Sequence, residues 1–140
     1  MYPKDEKPKM VKIILDLNFV FVPFQFKVDV FSELNRLFGK VEPIILSTTM
    51  EELQQLATKM SPKMRKQAVA ALKLIEKCGS ATVEKKTNES YDDVILRVAK
   101  EWNIPVATND ARLRKKLREA GVTVVFLRKK SYLTMDGFST

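Results

Sequence analysis

Short apolar, β-branched runs alternate with stretches of helical period along this chain, and that alternation narrows the fold more than any other feature. Val11-Lys12-Ile13-Ile14-Leu15, Ile44-Ile45-Leu46, Ala81-Thr82-Val83, Pro105-Val106-Ala107-Thr108 and Val122-Thr123-Val124-Val125-Phe126-Leu127 read as strands. After an aromatic connection around Pro23-Phe24-Gln25-Phe26, Phe31, Leu34, Leu37 and Phe38 share one helical face, and Gly39 supplies the stop. Another helix follows Ser47-Thr48-Thr49 through Glu51, Glu52, Leu53 and Leu56. Ser61-Pro62 is an N-cap with proline at N1, opening a helix with Met64, Ala68, Ala71, Leu72 and Ile75 on one face. Residues 90–101, with Val94, Ile95, Val98, Ala99 and Trp102 apolar, and the Leu113, Leu117, Ala120 set closed by Gly121 complete the helices. Strands alternating with helices predict an α/β fold, a three-layer α/β/α sandwich around a mostly parallel five-stranded sheet. A chain of 140 residues suits one domain, expected over 10–133 between a loose tail at 1–9 and a C-terminal tail at 134–140.

Composition removes whole classes of chemistry. With no histidine and one cysteine, Cys78, the chain has no structural zinc site, no His-based triad and no internal disulfide. A lone cysteine favours a reducing compartment, so a cytoplasmic location is expected. No apolar run approaches the ~18 residues of a membrane span, and no signal-peptide core opens the chain, so no membrane partner is expected. Chemistry must run on carboxylates, hydroxyls, lysines or a bound metal. The net charge is +8 and unevenly spread. Arg112, Arg114, Lys115, Lys116, Arg118, Arg128, Lys129 and Lys130 stand against Glu119 alone within 111–130. Such a stripe suits a polyanion, nucleic acid being the commonest, although a lysine-rich surface kept for solubility gives the same count.

Ligands of open parallel sheets bind beyond the carboxyl ends of the strands, and acids fall there. Asp16 follows the first strand, Glu52 lies in the first helical turn after the second, Asp92 opens the helix after the third, and Asp110 follows the fourth. Clustered carboxylates repel and call for a compensating cation. All-oxygen ligands select Mg²⁺ or Mn²⁺, one or two ions, ahead of zinc or copper, and no nucleotide cofactor is expected. An acidic metal site beside a basic stripe meets the needs of metal-assisted phosphodiester hydrolysis without a histidine base. Each acid also has a plain reading. Asp110 suits an N-cap, and Glu52 a surface acid near a helix N-terminus. Ser90-Tyr91-Asp92-Asp93 has capping-box spacing, which makes Asp93 the cap and Asp92, on the face of Ile95, Ala99 and Trp102, the inward ligand; the reverse assignment, or a contribution from both, stays open.

These pieces resemble the PIN domain, a family of small metal-dependent ribonucleases. Ile14-Leu15-Asp16-Leu17-Asn18 is similar to the family's opening Asp-Thr-Asn motif, and Ser47-Thr48-Thr49-Met50-Glu51-Glu52-Leu53 to its strand-then-Glu motif. Asp92-Asp93-Val94-Ile95-Leu96 resembles the central Asp helix, and Ala107-Thr108-Asn109-Asp110 the fourth motif. The order holds from about Met10 to Lys130. The aromatic stretch at 23–26 and the Leu127–Leu133 ending look closest to archaeal relatives of the small-subunit rRNA-processing nucleases. The resemblance implies Asp16, Glu52, Asp92 and Asp110 as catalytic metal ligands, with Asn18, Thr108 and Asn109 as polar residues orienting them. Leu17 departs from the pattern, because the family usually has Thr or Ser after the first Asp.

The function expected is therefore a metal-dependent single-strand endoribonuclease acting on ribosomal or precursor RNA. A VapC-like toxin of a toxin–antitoxin pair shares the fold and the acids, and a catalytically weak RNA-binding assembly factor is the non-enzymatic alternative that Leu17 keeps open. RNA is the expected partner, contacted by Arg112, Lys115, Lys116, Arg128, Lys129 and Lys130. An antitoxin or pre-ribosomal partner belongs to one or other reading, and a homodimer is left open. Phosphatase and receiver-type domains also place Asp after the first strand, but the former wants a second Asp where Asn18 stands, and the latter an acidic pair before its second helix region.

Overall fold

A computed structural model describes residues 10–137. Strands β1 (Val11–Leu15), β2 (Val41–Leu46), β3 (Gly79–Ala81), β4 (Val106–Ala107), β5 (Val124–Arg128) and β6 (Tyr132–Asp136) form one sheet in the order β3-β2-β1-β4-β5-β6. The first five run parallel and β6 is antiparallel to β5. The helices are α1 (Leu17–Val20), α2 (Val22–Phe26), α3 (Val30–Phe38), α4 (Ser47–Ala57), α5 (Pro62–Ile75), α6 (Tyr91–Trp102) and α7 (Ala111–Glu119).

The period of two along β1 divides the core. Ile13 and Leu15 face one side with Ile45 and Val125, where Phe19, Val22, Leu34, Leu53 and Ala71 cover them. Ile14 faces the other with Ile44, Val106 and Val124, under Val94, Ile95 and Val98 of α6 and Leu113 and Leu117 of α7. The fold is the expected α/β/α sandwich.

Four details differ from the sequence reading. The sheet has six strands rather than five: β6 carries the chain to Asp136, past the boundary expected at 133 and into the stretch expected as tail. It pairs with β5 across a turn in which Lys129 (φ 54°) and Lys130 (φ 55°) are both left-handed and the Ser131 N–H donates to the Arg128 carbonyl at 3.1 Å. Hairpin turns of this hand normally advertise themselves as Asn-Gly, and placing ordinary residues there costs roughly 1–2 kcal/mol each. The aromatic connection at 23–26 is helical, as α2. The third strand lies at 79–81 rather than 81–83, and Val83 is instead tied to α4 by Ser47, whose hydroxyl accepts its N–H at 2.9 Å. Trp102 and Leu72, expected on buried faces, are 42% and 39% exposed. The expected tail at 1–9 lies outside the described residues, as does 138–140.

Strand order reverses between β1 and β4, since the chain steps outward from β1 to β3 and then returns to β1's other side. The crevice beyond the carboxyl ends of β1 and β4 is where an open α/β sheet binds ligands. Asp16 follows β1 directly and Thr108 follows β4 directly.

Candidate active site

Asp16 ends β1 with its backbone still in the sheet: its N–H donates to the Ala107 carbonyl at 2.9 Å. Its carboxylate, 3% exposed, caps α1 through Oδ1, which accepts the Leu17 N–H at 2.8 Å. Oδ2 accepts from the Thr108 hydroxyl at 2.7 Å and from the Asn18 amide at 3.1 Å. Burial, first of all, lifts its pKa to about 6; Asp92 and Asp110 add to the rise while the Thr108 and Leu17 hydrogen bonds oppose it. Leu17 offers no hydroxyl to this carboxylate, and the hydroxyl that reaches it comes from Thr108, directly after β4. Leu17 itself is a buried core residue.

Asn18, Thr108 and Asn109 form a relay. The Asn109 N–H donates to Asn18 Oδ1 at 3.1 Å, and Asn109 Oδ1 accepts the Leu127 N–H at 2.8 Å, standing in for the strand that β4 is too short to provide. The Thr108 hydroxyl also accepts the Asp110 N–H at 3.0 Å. Asp110 caps α7 through Oδ1, which accepts the Arg112 and Leu113 N–H groups at 2.9 and 3.3 Å. Both cap bonds use one oxygen, so the plain reading and the ligand reading of Asp110 are compatible.

Asp16, Glu52, Asp92 and Asp110 line one cleft of about 350 Å³, walled by Leu17, Phe21 and Leu56. Because α4 starts at Ser47, Glu52 lies in its second turn rather than the first. It turns half-buried toward the cleft, while Glu51 is exposed. Burial, then Asp16 and Asp92, push the Glu52 pKa up to about 7. Asp92 is also raised, by burial and then by Asp110, with Lys116 pulling the other way. Asp93 makes the capping box with Ser90: its Oδ2 accepts the Ser90 N–H at 2.9 Å, and its own N–H donates to Ser90 Oγ at 3.1 Å. The Ser90 N–H, and then the Ser90 hydroxyl, hold the Asp93 pKa below the usual carboxylate range.

Among the described residues no group of three or more acidic, Cys or His side chains is drawn together into a ready metal cage. The donor set still fits a hard divalent cation, because buried, mutually repelling carboxylates of one cleft are relieved by positive charge. Mg²⁺ in particular keeps several waters and takes a few carboxylates plus phosphate oxygens rather than a closed protein cage.

The basic residues divide. Arg112, Lys115 and Lys116 are exposed on α7, but only Lys116 is felt by Asp92 and Asp93. Lys115 lines a separate groove with Arg118, Glu119 and Asp136. Arg128, Lys129 and Lys130 sit exposed at the β5–β6 hairpin. Unforeseen from sequence is a third groove holding Phe26, Arg114, Phe126, Lys129 and Lys130, where Arg114 lies over the Phe126 ring, its Cζ 4.0 Å from the centroid. The only signal was Arg114 four residues past the Asp110 cap, which does not reveal a partner on β5.

Comparison with known proteins adds to this geometry. The family described as PIN like domain matches residues 13–130. Ribonuclease VapC4 of Methanocaldococcus jannaschii is 35% identical over 130 residues, 91% of this chain and 98% of that protein. Ribonuclease VapC9 of Archaeoglobus fulgidus is 28% identical over 83% of this chain and 82% of its own length. Among solved structures, the PIN domain endonuclease Utp24 superposes with a TM-score of 0.74 at 22% identity, covering 91% of this chain and 92% of that one. A domain of a functionally unknown protein from Methanocaldococcus jannaschii superposes with a TM-score of 0.60 at 19% identity, over 84% and 91% of the two chains. At these identities the structural likeness is one of fold.

Proposed function

Because this chain belongs to the PIN-like domain family, we propose that it is a Mg²⁺- or Mn²⁺-dependent endoribonuclease that cuts single-stranded RNA by phosphodiester hydrolysis. The observation that carries the reading is the meeting of Asp16, Glu52, Asp92 and Asp110 in one cleft at the sheet's switch point. Two relatives bearing the name ribonuclease support the substrate class.

Asp16, Glu52, Asp92 and Asp110 would hold a divalent ion, which would supply activation of water and offset the charge developing on the scissile phosphate. The chain's own residues prepare for it. Thr108 and Asn18 fix Asp16 from one side and the Leu17 N–H fixes it from the other. Asp110 is held by α7, whose start it caps, and Asp92 by α6, whose first turn Ser90 and Asp93 secure without using Asp92. Lys116 brings positive charge to the rim of the cleft, where an RNA phosphate needs it.

The RNA target we propose is a ribosomal or precursor RNA, on the strength of the 23–26 and 127–133 segments. A VapC-like toxin restrained by an antitoxin is the second reading, favoured by the names of the two relatives. The test is cleavage of single-stranded RNA by the purified full chain with Mn²⁺, against EDTA and against Asp16→Asn. Cutting that survives full chelation sinks the metal mechanism. Copurification of a small partner that abolishes cutting would select the toxin reading.

A further inference from the structure

The groove beside the acidic cleft has the chemistry of a nucleotide seat. It measures about 410 Å³ and is lined by Phe26, Asn109, Arg114, Phe126, Lys129 and Lys130. Two pairs of consecutive residues straddle the ridge between the cavities: Gln25 and Asp110 line the acidic cleft, while Phe26 and Asn109 line the groove. A strand of nucleic acid leaving the cleft over this ridge enters the groove directly.

Its contents divide into two functions. Phe26 and Phe126 are half-buried, and Arg114 lies over the Phe126 ring at 4.0 Å. An arginine held on an aromatic face is ordered before any ligand arrives, and its guanidinium presents a flat, charged surface on which a base can stack. Lys129 and Lys130 project from the hairpin tip in left-handed conformations that lysine does not favour. The hairpin turn requires that conformation, and it fixes the direction from which the two lysines line the groove.

We propose that this groove is a nucleotide subsite: an unpaired RNA base stacks on the Arg114–Phe126 pair while Lys129 and Lys130 hold the adjoining phosphates. The proposal rests on the ribonuclease reading and deepens it, because a base can stack here only if it is not paired. The site thereby selects single strands whatever their sequence.

The experiment measures binding by fluorescence anisotropy in EDTA, so that no cutting intervenes. The probes are a labelled single-stranded RNA, the same strand carrying abasic positions, and its duplex. Arg114→Lys, which keeps the charge and loses the flat fork, and Phe126→Leu should each weaken binding of the base-bearing strand about tenfold. Neither should alter binding of the abasic strand or the duplex. Lys129→Ala with Lys130→Ala should weaken the base-bearing and abasic strands alike. The proposal is overturned if Arg114→Lys binds the base-bearing strand as the parent does, or if its loss is equal on the abasic strand. A parent protein that cuts RNA with Mn²⁺ while these variants bind normally removes the subsite alone. A parent that neither binds nor cuts RNA removes the subsite and the ribonuclease reading together.

Discussion

The Thr108 hydroxyl donates to Asp16 Oδ2 over 2.7 Å, joining the mouths of β1 and β4 through side chains both buried from water. Thr108 Oγ1 also accepts the Asp110 N–H, so one hydroxyl sets the position of two acids. Thr108→Val keeps the shape and removes both bonds. It should cost about 1–3 kcal/mol in urea unfolding. Mn²⁺ affinity, measured by calorimetry, should fall roughly 10–100-fold, with Thr108→Ser restoring most of it.

Asp16→Asn should abolish RNA cleavage while leaving the metal-free protein as stable as the parent or more so at pH 8, because one member of a repelling set becomes neutral. A cleavage assay beside a thermal melt checks both halves. Unfolding of this variant would make Asp16 a structural residue.

The pH dependence of the metal-free protein follows from the same burial. Asp16 is raised from 3.8 to about 6. A raised carboxyl binds its proton more tightly in the folded state, so its contribution is complete below the unfolded pKa and lost as pH rises through the folded one. Stability without metal should therefore fall by on the order of 3 kcal/mol between about pH 4 and 7, and the fall should shrink in Asp16→Asn. Glu52, raised to about 7, acts in the same direction over a slightly higher window, weakened by its exposure to solvent. Mn²⁺ must displace these protons, so its affinity should climb over the same range.

Asp92→Asn and Asp93→Asn should separate activity from stability. Asp93 spends its carboxylate on the Ser90 N–H, and its replacement should cost up to about 1 kcal/mol with cleavage retained. Asp92→Asn should lose cleavage with stability unchanged or improved. The opposite ranking would exchange their roles.

Lys116 and Lys115, adjacent in sequence, should behave differently toward RNA. Lys116→Ala should lower the single-strand salt slope by about 0.7, the value of one phosphate contact. Lys115→Ala, whose side chain lines the groove with Glu119 and Asp136, should change it little. Equal effects in salt titrations would place the RNA path along α7's outer face.

What could be read from sequence was whatever local spacing controls. Asp16 after an apolar run, the Ser90–Asp93 box and the Asp110 cap are each set within a few residues, and each stands where its spacing put it. The starting turn of Glu52 was misplaced because no capping side chain marks the end of β2: α4 begins at Ser47, and its N-cap position is Leu46, which makes no side-chain cap bond. β6 escaped because its turn is built from Lys129-Lys130, which carries none of the glycine or asparagine that signals a hairpin. The Thr108–Asp16 bond and the Arg114–Phe126 stack join residues far apart in the chain, and no periodicity encodes such meetings.

Strand β6 is the outer edge of the sheet next to β5. Leu133 stands opposite Leu127, whose N–H goes to Asn109 rather than to β6. The Leu133 N–H donates to Glu33 Oε1 at 2.9 Å, and its carbonyl accepts from the Arg36 guanidinium at 2.8 Å. Helix α3 thus occupies, with two side chains, the hydrogen-bonding positions that a neighbouring strand would need. A row of open backbone groups at a sheet margin invites fibril growth and strand exchange. Here the margin is closed at its midpoint, so lengthening the sheet across Leu133 is opposed, and the sheet's other margin is the three-residue β3.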